Sequence, residues 1–272
     1  MAAWQARRVG VAAVVVVAIF VALAFGGRAL WRAAQSVVKA DGCDFGSYNA
    51  DLSRSQNAST MVSVVIRRGL PERAAVLVIG AALQESKLDN VAPGQGDRDS
   101  VGVLQQRPSQ GWGTTAQLTD ISYATSKFLD ALIKDPNWQS DTLAVAVQKV
   151  QRSADGAAYA KHEADAQVIS DVLTGKAPAG VSCSFGKSSV VATPAKVIAQ
   201  LQTDLPVQTP TTSGKAITVP GASWASAAWF VTHADSYGIS TVRYAGKRWD
   251  RSKGWKNDSS AASTGVQAQL AG

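Results

Sequence analysis

The chain has 272 residues, with 27 Lys and Arg against 20 Asp and Glu, a net charge of +7, two cysteines and two histidines. The histidines, His162 and His233, lie far apart and no zinc-type ligand spacing is present, so neither a metal centre nor a Ser/His/Asp hydrolase is expected, and no cofactor is. The basic excess comes without any nucleic-acid-binding motif, so nucleic acid is not an expected partner.

Residues 1–39 carry five basic residues and no acid. Positions 9–27 form an uncharged run rich in Val and Ala, which as a helix would extend about 28 Å, close to the thickness of a bilayer core. The expected arrangement is a cytoplasmic start over 1–8, a membrane-spanning signal anchor over 9–27, and the rest of the chain outside the cell. Secretion after cleavage near Ala22-Leu23-Ala24 is the alternative. With an export segment in front, the lone pair Cys43 and Cys183 reads as a disulfide closing a long loop, stabilising by about 5 kcal/mol.

Residues 40–183 are expected to form one domain, mainly helical. Met61, Val62, Val65 and Ile66 place a helix over 55–68 that ends before Gly69. Pro71 and Glu72 start the next helix, with an acid at the positive end of its dipole. Its run AAVLVIGAAL is apolar almost all round, which predicts a buried central helix with Glu85 in its last turn. The stretch 90–120 is rich in Gly, Pro, Asp, Gln and Ser and leaves room only for short strands, one of them Gly-Val-Leu-Gln-Gln over 102–106. Helices are predicted over 123–134, 141–153 and 157–173. Residues 184–223, rich in Ser, Thr, Val, Pro and Gly, read as a linker with a short helix over 194–205.

Residues 224–272 read as a small α/β module holding four of the eight tryptophans. Charge divides the chain unevenly: 40–183 carry thirteen Lys and Arg against sixteen Asp and Glu, and 184–272 carry nine against four. The basic terminal module is therefore the candidate contact for an anionic wall polymer, with ordinary solubilising charge as the alternative. The expected fold class is mostly α: a helical domain with a small β region, preceded by a transmembrane helix and followed by a small α/β module.

Glu85-Ser86 at the end of a buried helix, followed by Gly102-Val103-Leu104-Gln105, resembles the lysozyme-like fold of lytic transglycosylases. The strings AALQESKL, GDRDSVGVLQQRPSQGWG, YATSKF and AVQKVQRS are similar to a group of exported actinobacterial lysozyme-like proteins, over about residues 43–183. The resemblance implies cleavage of peptidoglycan glycan strands, with Glu85 protonating the glycosidic oxygen and then accepting the proton of the sugar's C6 hydroxyl. It also implies Gln105 or Gln106 as a sugar contact and Trp112 and Tyr123 as cleft candidates. Gln151 and Arg152 fall on the opposite wall, where transglycosylases carry an Ala-Tyr-Asn-Ala-Gly type motif; here the sequence is Gln151-Arg152-Ser153, without the Tyr-Asn pair.

The chemistry also follows from the residues. A general acid must stay protonated near neutral pH, and burial together with a helix C-terminus raises a carboxyl's pKa. Of three glutamates, Glu72 has a dipole role and Glu163 sits on a polar helix face, which leaves Glu85. Asp97 and Asp99 are the candidates for a second acid, although turn aspartates commonly bond the backbone. Trp112 and Tyr123 could equally be core residues. A non-catalytic glycan-binding or scaffold protein of the envelope is the alternative function. The segment 229–255 resembles part of a C-terminal module of actinobacterial wall enzymes in which a later strand supplies metal-binding histidines; here the end, SSAASTGVQAQLAG, has none.

Overall fold

A computed structural model describes residues 41–153, 155–186 and 190–271. The first layer is helical. Helix α1 (Leu52–Arg67) starts where the Asp51 side chain accepts from the Arg54 backbone N–H, and it ends ahead of Gly69, whose φ of 62° reverses the chain. Helix α2 (Glu72–Glu85) is buried from Ala74 through Leu83, as its all-round apolar run requires. After the short α3 (Thr115–Leu118), helices α4 (Ile121–Leu132), α5 (Leu143–Gln151) and α6 (Glu163–Leu173) pack around α2. A 3-10 segment, Gly156–His162, leads directly into α6. Gly80 allows the close approach of α5, since a Cβ there would lie 2.2 Å from Leu143 Cδ1.

A small sheet staples the ends of this layer. Strand β1 (Gly42–Asp44) lies between β2 (Asn49–Ala50) and β3 (Ser182–Ser184), all antiparallel. Cys43 and Cys183 are directly opposed across β1 and β3 and joined by a disulfide between residues 140 positions apart.

The remaining elements are α7 (Pro194–Asp204), β4 (Thr211–Ser213), β5 (Ala216–Pro220), α8 (Trp224–Thr232), α9 (Ala234–Tyr237), β6 (Ile239–Tyr244), β7 (Lys247–Asp250), β8 (Gly254–Asn257) and β9 (Gly265–Leu270). The six strands form one antiparallel sheet in the order β4-β5-β9-β6-β7-β8. Its inner face is a row of Ile217, Ala268, Val242, Trp249 and Trp255 in register. The helical layer and this sheet share one core. Arg67 donates to the backbone carbonyls of Thr203 and Asp204, Ser236 Oγ donates to Gln56, and Trp255 Nε1 donates to the Val181 carbonyl at 2.6 Å. Residues 41–272 accordingly cluster as one compact unit.

This corrects the expectation of a mostly helical chain with a small β region and a minor α/β module. The fold combines helices with two antiparallel sheets, the larger of six strands. The Ser/Thr-rich stretch 184–223 contributes α7, β4 and β5. Its strand signal is the weak alternation of five residues, Ala216–Pro220, in which only Ile217 and Val219 are buried. The Gly-Val-Leu-Gln-Gln strand is also replaced. Gly102 (φ 77°) and Gln105 (φ 48°) bend the backbone into a turn with only isolated bridges, Val91 to Gly102 and Val101 to Gln106. The expected start at 1–8 and the membrane-spanning helix at 9–27 lie outside the described residues; among the described residues no helix is long and apolar enough to cross a membrane.

Candidate active site

Glu85 is the last residue of α2, and the chain just beyond it is held by four side chains. Lys87 and Leu88 both adopt positive φ, 57° and 70°, a conformation that non-glycine residues take only where contacts impose it. Asn57 Nδ2 donates to the Leu88 carbonyl at 2.8 Å, and Arg54 forks onto both oxygens of Asp89 at 2.8 and 2.5 Å. Ser86 Oγ donates to the Val103 carbonyl at 2.7 Å, tying the helix end to the following turn. That turn is equally constrained, because a Cβ on Gly102 would lie 2.1 Å from the Leu118 carbonyl oxygen.

The Glu85 carboxyl is half-buried and has no cationic partner among the described residues. Tyr159, on the 3-10 segment and itself buried, donates its hydroxyl to Glu85 Oε1 at 2.5 Å. Burial raises the Glu85 pKa, and the hydrogen bonds from Tyr159 and Gln151 offset part of that rise without reversing it. Burial, reinforced by the Glu85 contact, likewise holds the Tyr159 phenol far above its ordinary value, so it stays a donor. Gln151 at the end of α5 also donates to the Leu104 carbonyl at 2.9 Å, fixing the opposite wall. The neighbouring Gln84 contacts His162 Nε2 at 3.0 Å, and burial lowers that imidazole's pKa, favouring the neutral ring.

The other two glutamates are occupied elsewhere. Glu163 pairs with Arg73 at 2.7 Å, and Glu72 is bonded by Gln167 and Lys176.

Gln151 leads from Glu85 into a groove of about 780 Å³, lined in part by Trp112, Ala131, Lys134, Val150 and Arg152. Trp112, Gln151 and Arg152 therefore share one concavity. Arg152 caps α5 in the left-handed region (φ 53°) and is exposed. Tyr123 supports this wall from behind: its hydroxyl donates to the Trp112 carbonyl at 3.5 Å, its ring lies against Gly113, and the Lys127 ammonium sits 5.4 Å from the ring centroid. Gln105 folds back to donate to the Gly102 carbonyl at 2.9 Å. Gln106 is buried, with its amide directed to the Ala124 carbonyl at 3.3 Å, so it braces the turn against α4.

The candidate second acids differ from Glu85. Asp99 accepts from Arg107 Nε at 2.7 Å and from the Ser109 backbone N–H at 2.8 Å, and these bonds hold its carboxyl well below the usual range. Asp97 is exposed, with Arg98 at 3.8 Å.

Sequence reasoning did not find Tyr159 or His162. Both lie on the 3-10 segment, which apolar periodicity merged with α6, and a single tyrosine in GAAYAKH carries no motif. No protein-family model matches the chain, and no curated protein matches it.

Proposed function

We propose that the protein cleaves peptidoglycan glycan strands, with Glu85 as the proton donor to the glycosidic oxygen. The observation that carries the reading is the environment of Glu85. Its carboxyl is half-buried at a helix C-terminus, without a cationic partner among the described residues, with a raised pKa and with one oxygen held by Tyr159. That combination shifts a carboxyl towards its protonated form and orients it for donation. Asp99 is occupied by Arg107 and Ser109, so a route that needs no second carboxylate is favoured. In it, Glu85 protonates the leaving oxygen and then takes the proton of the sugar's C6 hydroxyl as that oxygen closes on C1, leaving a 1,6-anhydro end. The groove beside Gln151 would hold the flanking sugars, with Trp112 and Arg152 as contacts. The Cys43–Cys183 disulfide suits an oxidising compartment outside the cytoplasm, where this substrate lies.

The test is incubation of the protein with purified peptidoglycan beside Glu85→Gln, with products read by mass spectrometry. Anhydro-muropeptides from the wild type alone are expected. Reducing-end products would indicate a hydrolase, and glycan binding by both proteins without any release would leave a non-catalytic binding role instead.

A further inference from the structure

The outer face of the six-stranded sheet carries a row of side chains in register across five strands. Thr218 on β5 opposes Gln267 on β9, which opposes Arg243 on β6, then Arg248 on β7, then Lys256 on β8. Three cations therefore stand directly opposite one another on adjacent strands, about 5 Å apart per step. Like charges placed opposite each other destabilise a sheet, so this row does not serve the fold.

The available carboxylates compensate only in part. Asp258 approaches Arg243 at 3.3 Å and Asp250 approaches Arg248 at 3.7 Å, while Lys256 has no ion pair among the described residues. Lys253 adds a further cation at the same edge.

The face is also concave. One groove of about 580 Å³ is lined by Thr218, Thr241, Arg243, Arg248, Gln267 and Gln269, among others. A second, of about 310 Å³, runs over Lys253 and Lys256, is also lined by Asp250 and Asp258, and shares Arg243 and Arg248 with the first, so its lining holds four cations against two carboxylates. The two arginines thus join a hydroxyl- and amide-lined trough to a cationic one.

We propose that this trough binds a linear polyol-phosphate polymer of the cell envelope. Guanidinium forks match phosphate oxygens, and two of them side by side with a lysine suit successive phosphodiesters. Thr218, Thr241, Gln267 and Gln269 supply donors and acceptors for the hydroxyls between phosphates. An anionic membrane offers charge but no such hydroxyl-bearing strand to lie along the amide row.

The test uses the full chain and three probes: poly(glycerol phosphate), uncharged dextran and phosphatidylglycerol vesicles, each at low and high salt. The wild type is expected to bind poly(glycerol phosphate) with affinity that falls as salt rises, and to leave dextran unbound. Arg243→Gln with Arg248→Gln should weaken that binding roughly tenfold or more, while the charge-matched pair Arg98→Gln with Lys196→Gln, at exposed positions off this sheet, should not. If the glutamine pair does not melt like the wild type, Arg243→Lys with Arg248→Lys replaces it. That pair keeps the charge, loses the forks, and should still bind several-fold more weakly. Undiminished binding by the folded arginine variant, binding that ignores salt, or vesicle binding as tight as polymer binding would each overturn the proposal.

Discussion

Acidification from pH 7 towards 4 should cost the protein stability, most of all at His233. Its imidazole is 1% exposed, stacks on Trp229 with centroids 4.1 Å apart, and directs Nδ1 to the Trp229 carbonyl at 2.8 Å. Burial pushes its pKa down to about 4, against about 6.5 in an unfolded chain. Between those values the unfolded chain takes up a proton that the native state refuses. Stability fully present above pH 6.5 is therefore lost as pH falls towards 4, by about 3 kcal/mol in all.

Asp204 packs nearby, accepting from Trp229 Nε1 at 2.8 Å and from Gln200, and burial raises its pKa. Its contribution has the opposite sign: present below its unfolded pKa and lost as pH rises through the folded one. Tyr237, stacked on both rings, is pushed up and stays neutral. A variant comparison isolates the histidine. Urea unfolding of residues 41–272 at pH 7 and 4.5 should show a smaller acid loss for His233→Phe, which keeps a stacked ring without a titrating group. Parallel losses in the two proteins would refute the reasoning.

Three further outcomes are expected. Cys43→Ser should lower unfolding free energy by about 5 kcal/mol by the loop-closure argument, and a reductant should then have no further effect on the variant's urea midpoint. Gly80→Val should cost about 1–3 kcal/mol in urea denaturation, because its side chain would push into Leu143 and force α5 away from α2; an unchanged midpoint would mean that the packing is looser than described. Tyr159→Phe removes a donor that favours the ionised form of Glu85, so its carboxyl pKa should rise further. Cleavage is lost as pH climbs through that pKa, so the alkaline limb of the activity profile should move to higher pH, and an unmoved limb would dissociate Tyr159 from the acid.

Helices α1 and α2 were legible because burial imposes periodicity on long segments and because Gly69 and Pro71 mark their ends. The disulfide was legible from two lone cysteines and the expectation of an export segment ahead of them. The six-stranded sheet was not. Strands of three to six residues, several with polar outer faces such as Gln267 and Gln269 on β9, leave a signal too short to separate from a linker. At the candidate site, Glu85 stood out by elimination among three glutamates, and Gln151, Arg152 and Trp112 do share its neighbouring groove. Gln105 and Gln106 came from the resemblance to a Gly-x-Leu-Gln strand, and that strand is broken where Gln105 turns into positive φ. Tyr159 depends on a contact across 74 residues that no local pattern encodes.

The central claim of the proposed function is that burial raises the Glu85 pKa beside the groove reached through Gln151, and the chain's three glutamates make that shift directly measurable. Residues 41–272 labelled with ¹³C at the glutamate side-chain carboxyl give three resonances, and Glu85→Gln identifies one by its disappearance. The account predicts that this resonance titrates clearly above the solution value of about 4.3 and moves higher still in Tyr159→Phe. Titration of the Glu85 carboxyl at or below the solution value would contradict it, since an acid already ionised at neutral pH has no proton to give the glycosidic oxygen.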